Sequence, residues 1–153
     1  MPALTELDPQ EALVCTMVLV AASDGAMTDR EIGVMSMLVQ TLPAFRGFSG
    51  ERLAVATDAA VRLLNEAEGL LHAARLVRAA LEPRLRETAY ALACEVVAAD
   101  AVAHQPALQM LDFVRTELEL DPLVAAAIER GVRARARQVS GCRPAAAGEP
   151  SGA

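Results

Sequence analysis

The chain has 153 residues, long enough for one domain that buries roughly 70% of its unfolded surface in a single core. Apolar residues make up 54% of the sequence and aromatic residues only 3%, so Leu, Val, Ala and Met must build that core. This composition favours closely packed helices over sheets. The net charge of −6 argues against nucleic acid as a partner.

The N-terminal segment predicts neither a secretory signal nor a membrane anchor. Glu6, Asp8 and Glu11 stand where a signal peptide would carry basic residues. The longest nearly apolar run, residues 12–22, is too short to span a bilayer. We therefore expect a cytoplasmic protein without a transmembrane segment.

Cap and breaker residues divide the chain into about seven predicted helices. The stretch DPQE at 8–11 combines an N-cap, a proline and a glutamate at N3, and it opens a first helix to about residue 22. That helix is apolar on nearly every side, which predicts a central position. The stretch TDRE at 28–31 is a capping box, and the helix that it opens must end before Pro43.

The remaining helices are delimited in the same way, and each follows a capping residue, a glycine or a proline. The expected starts are Ser49, Gly69, Pro83, Pro106 and the pair Asp121-Pro122, with the seventh helix running to about Gln138. The fifth helix is as apolar in its second half as the first, so it should also be central. We expect one domain over 1–139 and a disordered tail over 140–153, which is rich in Pro, Gly and small residues.

An internal repeat relates two parts of the chain at an offset of 76 residues. It places Asp24 on Asp100, and the apolar pattern continues beyond them through the pairs Ile32–Leu108, Met35–Leu111, Leu38–Val114 and Leu42–Leu118. The sequence therefore predicts two similar helix-loop-helix units that frame the middle helices.

The first unit resembles the TerB-like domains, which are named after tellurite-resistance proteins and carry two units reading roughly A-x-A-D-G-x-x-x-x-x-E. Asp24, Gly25 and Glu31 stand at the Asp, Gly and Glu of this motif, and VVAAD ending at Asp100 matches the start of the second copy. The resemblance spans roughly residues 10–138.

The second unit departs from the motif, because Ala101 replaces the glycine and Ala107 stands at the glutamate position. The resemblance implies a single compact all-α bundle that is not an enzyme. It also implies a link to resistance to tellurite and other stresses, through binding of metal ions or of protein partners near membranes. No residue of this sequence by itself indicates tellurite chemistry.

The stretch AASDGAMTDRE at 21–31 has two interpretations. In the first, it is a turn: the Asp24 side chain accepts backbone N–H groups, Gly25 takes a positive φ, and Glu31 closes the capping box. In the second, it contributes to a cation site. Asp24 follows a helix C-terminus, where negative potential calls for a compensating positive charge.

The cation interpretation uses the repeat, because packing of the two central helices would bring Asp24, Glu31 and Asp100 together. Oxygen ligands of this kind suit a hard divalent cation. Further ligands considered are Asp29, Glu95 and His104, the last in place of the missing second glutamate. The spacing excludes an EF-hand loop.

The last predicted helix carries the main concentration of positive charge, with Arg130, Arg133 and Arg137 at i, i+3 and i+7. These arginines either complement the helix C-terminus or bind an acidic protein partner or anionic lipid head groups. The methionine-rich run at 34–39 is likewise either adaptable core or a partner groove.

No catalytic constellation is visible in the sequence. Cys15, Cys94 and Cys142 form no CxxC pair and predict buried thiols, while His72 and His104 have no metal-ligand neighbour at helical spacing. We therefore expect a non-enzymatic stress-response module that binds or scaffolds protein partners, with metal sensing or buffering as the alternative and a hydrolytic or redox enzyme as a third hypothesis.

Overall fold

The computed structural model describes residues 4–100 and 104–139, and the part of the chain that it describes contains helices and no strand. The helices are α1 (Pro9–Ala21), α2 (Asp29–Thr41), α3 (Gly50–Leu64), α4 (Gly69–Ala80), α5 (Pro83–Ala98), α6 (Gln105–Glu117) and α7 (Pro122–Ala136). A short 3-10 turn, Pro43–Phe45, links α2 to α3. The predicted all-α fold is confirmed, and the predicted tail over 140–153 lies outside the described residues.

Helices α1 and α5 form the centre of the bundle, as their apolar sequences predicted. Every residue of α1 from Ala12 to Ala21 is buried, and α1 packs more extensively on α5 than on any other helix. Each fully buried Val, Leu or Met side chain contributes about 1.5–3 kcal/mol, so this pair supplies a large part of the stability.

The helix ends follow the predicted capping residues closely. Asp8 and Thr28 each form a complete capping box, and the side chains of Ser49 and Asp121 accept backbone N–H groups at the starts of α3 and α7. Three boundaries differ slightly from the prediction: α1 ends at Ala21, α6 begins at Gln105, and α7 ends at Ala136. Helix α6, the one of these whose start differs, has no side-chain capping hydrogen bond from His104.

The two predicted helix-loop-helix units, α1–α2 and α5–α6, interlock around the central pair. Helix α2 packs on α5, and α6 packs on both α1 and α5. The outer helices repeat the arrangement, since α3 packs on α1 much as α7 packs on α5. As a result, the C-terminal ends of α1 and α5, with Asp24 and Asp100 after them, lie at one end of the bundle.

Candidate functional site

A small cavity, which we call the loop pocket, lies where the ends of α1 and α5 meet the starts of α2 and α6. Its volume of about 10 Å³ holds one water-sized sphere. Four of its lining residues are ionisable: Asp24, Glu31, Asp100 and His104. The predicted convergence of Asp24, Glu31 and Asp100 on one place is therefore seen in the structure.

The turn that carries Asp24 follows the end of α1. Gly25 has a φ of 107°, as expected, and its N–H donates to the carbonyl of Ala22 over 3.1 Å. Within the described residues, however, the Asp24 carboxylate accepts no hydrogen bond, so the predicted side-chain turn is not formed. This carboxylate lies beside the negative end of α1, and no described residue donates to it to offset its charge.

Glu31 is the one acidic side chain that is buried among the described residues, at 6% exposure. Its Oε1 accepts the Thr28 N–H over 2.9 Å, and the Thr28 hydroxyl accepts the Glu31 N–H over 3.2 Å. The N-terminus of α2 also favours a negative charge at this position. These interactions explain how a carboxylate is retained at the wall of the loop pocket.

The second unit contributes Asp100, which follows α5, and His104, which is the N-cap of α6. The His104 side chain makes no capping hydrogen bond, and Ala107 fills the N3 position that Glu31 has in the first unit. An imidazole thus lies at the loop pocket beside the position where the motif's second carboxylate is missing.

Two of the further candidates for a ligand lie elsewhere. Asp29 is exposed at the first position of α2 and does not line the loop pocket. The Glu95 side chain pairs with Arg135 of α7 over 2.5 Å. The prediction that these two residues join the cluster is not supported by their placement.

The donors at the loop pocket have the chemistry of a hard-cation site but are not yet arranged as one. Among residues 4–100 and 104–139, no three acidic, histidine or cysteine side chains are grouped as metal ligands. Divalent cations require oxygen ligands at about 2.0–2.6 Å. Binding would therefore require the side chains to move inward.

A family model described as tellurite resistance protein TerB matches residues 10–130. The chain belongs to the TerB family. The match includes both helix-loop-helix units of this TerB-family domain and ends within α7. Searches among curated proteins and among solved structures gave no match.

A much larger cavity of this TerB-family domain, about 640 Å³, lies between α6 and α7 above α5. We call it the α6/α7 groove. Its lining includes Arg133 and Arg137, two of the three arginines that the sequence assigned to partner binding, whereas Arg130 lies outside it. The sequence did not predict the groove itself, although Tyr90, Cys94 and Val97 recur along α5 at helical spacing.

The floor of the α6/α7 groove contains two buried ionisable groups. Burial and a 2.5 Å hydrogen bond from the hydroxyl of Tyr90 to Glu129 raise the pKa of that tyrosine well above its usual value. Burial raises the pKa of the Cys94 thiol to about 12. Both groups are therefore neutral at physiological pH, and Cys94 is not an activated nucleophile.

No helix within the described ranges is both long and apolar enough to cross a bilayer. Cys15 and Cys94 are both buried free thiols, as predicted, and Cys142 lies outside those ranges. Burial raises the pKa of Cys15 to about 12 as well.

Proposed function

We propose that this chain is a non-enzymatic, cytoplasmic stress-response module of the TerB family that acts by binding. In this proposal the loop pocket holds one divalent cation, and the surface of the domain engages a protein partner. The observation that carries it is the convergence of Asp24, Glu31, Asp100 and His104 on one cavity of ionic size.

Electrostatics supports a cation at this position. Helices α1 and α5 both end at the loop pocket, and each is followed by an aspartate. The negative ends of two helix dipoles, two exposed or half-buried aspartates and one buried glutamate all favour a positive charge between them. A bound cation would offset this repulsion and join the two units.

The chemistry of the buried groups supports a binding role over a redox role. Direct reduction of an oxyanion by a protein thiol requires a thiolate. Because burial raises the pKa of both Cys15 and Cys94 to about 12, these thiols stay protonated at physiological pH.

Metal titration of the purified domain tests this proposal. We expect Ca²⁺, Mg²⁺, Mn²⁺ or Zn²⁺ to raise the melting temperature, by about 5–10 °C at a concentration near a hundred times the Kd. Asp24→Asn and Asp100→Asn should each reduce that rise, because each removes one charged ligand.

Asp29→Asn is the matched control, since it removes an acid from the same segment without touching the loop pocket. It should leave the metal response unchanged. The proposal is wrong if no divalent ion raises the melting temperature of the wild type, or if Asp29→Asn lowers the response as much as Asp24→Asn does.

Metal sensing or buffering is the second candidate function, and the same cavity supports it. The two functions make different demands on the rest of the domain. A buffer needs only affinity for the ion, whereas an interaction module also needs a surface that recognises a partner. The α6/α7 groove favours the interaction module.

A further inference from the structure

The two cysteines that the structure describes differ in what they open onto. Cys15 lies in the central helix α1, is 2% exposed and lines neither the loop pocket nor the α6/α7 groove. Cys94 of α5 is 5% exposed and lines the α6/α7 groove. The accessible part of the Cys94 side chain therefore faces this groove, and any group that reaches its sulfur from outside must enter the groove.

The chain leaves α7 at the rim of the same groove. Ala136, the last residue of α7, and Arg137 both line it. Arg137 is exposed and has an extended backbone, with φ −69° and ψ 134°. Cys142 follows five positions later, in the segment 140–153 that lies outside the described residues. The third cysteine is therefore tethered to the rim of the cavity that holds Cys94.

We propose that oxidation by a peroxide joins Cys94 and Cys142 in a reversible disulfide, which holds the C-terminal segment 140–153 in the α6/α7 groove. In a reducing compartment, disulfides are typically transient, and many of them sense oxidants. Such a disulfide suits the stress-response role proposed above, but the inference rests on the positions of the cysteines and not on that role.

The distance between the two cysteines is within the reach of the tether. Helices α5 and α7 run side by side, since Glu95, next to Cys94, pairs with Arg135. Packed helix axes lie about 8–10 Å apart, and Arg137 is about 3 Å beyond Arg135 along the axis, so Arg137 lies on the order of 10 Å from Cys94. The residues from Arg137 to Cys142 span up to about 17 Å, whereas a disulfide requires Cα atoms within about 7 Å of each other. The disulfide therefore requires no movement of α7.

Charge neither favours nor opposes this occupant. The lining of the groove holds three acids against three arginines, and two of the arginines pair with two of the acids. Segment 140–153 has one arginine and one glutamate, so its net charge is zero. A ligand of either sign gains little in such a groove, and the covalent bond is what selects the segment.

The residues near Cys142 suit a narrow groove because most of them are small. Ser140 and Gly141 precede it, and three alanines stand at 145–147. Small side chains allow the backbone to approach the floor of the groove closely. They also bury little apolar surface, so the segment does not offset the cost of its own ordering without the covalent bond. Reduction of the disulfide should therefore reopen the groove.

The reaction consumes one peroxide and begins at Cys142. Burial raises the pKa of both Cys15 and Cys94 to about 12, so these protonated thiols react poorly with a peroxide, which leaves Cys142 to react first. Its thiolate sulfur attacks one peroxide oxygen: an S–O bond forms, the O–O bond breaks, and the released hydroxide takes up a proton from solvent to give water. The product is a sulfenic acid on Cys142.

The Cys94 thiol then reacts with this sulfenic acid. Its sulfur attacks the Cys142 sulfur, an S–S bond forms, the S–O bond breaks, and the departing hydroxide takes the proton of the Cys94 thiol to give a second water. Two thiols are thereby oxidised to one disulfide, and one hydrogen peroxide is reduced to two molecules of water. The short tether offsets the low reactivity of the protonated thiol, because it holds the two sulfurs near one another.

The test is oxidation of the reduced full chain with a small excess of hydrogen peroxide, followed by denaturation, alkylation and mass spectrometry. The main product should be a monomer that takes up one alkyl group, whereas the reduced chain with its three cysteines takes up three. A thiol reductant should restore the uptake of three. Tryptic digestion identifies the linked pair, because Cys15, Cys94 and Cys142 fall in the separate peptides 1–30, 87–115 and 138–153.

Three variants assign the roles of the cysteines. Cys94→Ala and Cys142→Ser should each abolish the linkage. Cys15→Ala removes a thiol that does not line the groove, and it should form the linkage as the wild type does. Cys142→Ser leaves the described core untouched, so the comparison stands even where Cys94→Ala is unstable.

Limited proteolysis shows whether the linked segment occupies the groove. Arg137 is exposed and follows the end of α7, so trypsin should cleave after it in the reduced protein. In the linked protein this cleavage should be slower by about tenfold or more, because the segment is held against the groove. Peroxide-treated Cys142→Ser is the control, and it should be cleaved at the rate of the reduced wild type.

Four results would overturn the proposal: no linked monomer, a dimer joined through Cys142 of each chain, linkage to Cys15, or unchanged cleavage after Arg137 in the linked protein. None of these results bears on the cation, because neither Cys15 nor Cys94 lines the loop pocket. Failure of the disulfide would therefore leave the metal titration unaffected, and the reverse also holds.

Discussion

The two helix-loop-helix units share a core but differ at their junctions. In the first unit, Thr28 and Glu31 form a complete capping box at the start of α2. In the second, His104 is the N-cap without a side-chain hydrogen bond, and Ala107 stands at N3. Both units have apolar residues at equivalent positions, and the pair Leu38–Val114 is buried in each, whereas the second unit has Ala107 where the first has the carboxylate of Glu31.

The outer faces of the two halves also differ, and here it is the second half that has more ionisable residues. A cavity of about 330 Å³ between α2 and α3 has one ionisable lining residue, Asp58, among those described. The α6/α7 groove is about twice as large and is lined by three acids and three arginines. The first half therefore carries the complete motif at the inner junction, and the second half carries the larger and more polar groove on its outer surface.

The largest effect is expected from charges introduced at the two central helices. Val18 of α1 is fully buried at 0% exposure, whereas Val97 of α5 is 9% exposed and lines both the loop pocket and the α6/α7 groove. Val18→Asp should destabilise the fold by about 3–5 kcal/mol, as an uncompensated buried charge does. Val97→Asp should cost less, because water reaches its side chain.

Chemical denaturation followed by circular dichroism measures both free energies of unfolding. Val18→Thr and Val97→Thr are suitable controls, since they keep the shape of the side chain without adding a charge. An equal loss for the two aspartate variants would contradict the difference in burial.

The second-largest effect should be a loss of stability at alkaline pH, and it should differ between α1 and α5. Burial raises the pKa of Cys15 and Cys94 from 9.0 to about 12, and it also raises that of Tyr90. The folded state holds these thiol protons more tightly than the unfolded state does. The free energy of unfolding is therefore at its full value below pH 9.0 and falls as the pH rises toward about 12. Each such group lowers stability by about 1.4 kcal/mol per pH unit in this window.

Helix α5 carries two of these groups and α1 carries one, so the second half should loosen first. Hydrogen exchange as a function of pH would show this order. Cys94→Ala should reduce the alkaline loss of stability in α5, with Cys15→Ala as the comparison. The interpretation fails if the two halves lose protection together in the wild type and in both variants.

The smallest effect concerns the unequal caps of the two units. Glu31→Ala removes one half of the capping box and should cost about 1 kcal/mol, a fall in melting temperature of about 2–4 °C. Ala107→Glu restores the motif at the N3 position of α6 and should be neutral or stabilising. In the presence of a divalent ion it should also increase the thermal shift, because it adds a carboxylate beside the loop pocket.

Glu31→Gln provides the control for the cap, since an amide oxygen still accepts the Thr28 N–H while the negative charge is gone. It should keep most of the stability and lose most of the metal response. A thermal scan in which Glu31→Ala matches the wild type would show that the capping box contributes nothing measurable.

Local patterns in the sequence predicted the helices and most of the loop pocket. Capping residues such as Asp8, Thr28 and Ser49 act within one turn, so they can be read without knowledge of the tertiary structure. The repeat then indicated that Asp24 and Asp100 lie at equivalent positions in two packed units. Convergence on one cavity followed from that symmetry.

Features that depend on the spacing between helices were not predicted. The α6/α7 groove exists because α6 and α7 both rest on α5 without packing on each other, and no short-range pattern encodes that gap. The two candidate ligands that lie away from the loop pocket, Asp29 and Glu95, were mispredicted for the same reason. Asp29 is exposed and does not reach the pocket wall, and the partner of Glu95 is Arg135, 40 positions later in the chain.

Asp100 and Val97 line the loop pocket on one side and the α6/α7 groove on the other. A positive charge bound on the loop-pocket side would therefore offset the Asp100 carboxylate on the groove side as well. If a molecule in the groove binds with a different affinity once that charge is offset, thermodynamic linkage requires it to change the affinity for the cation by the same factor.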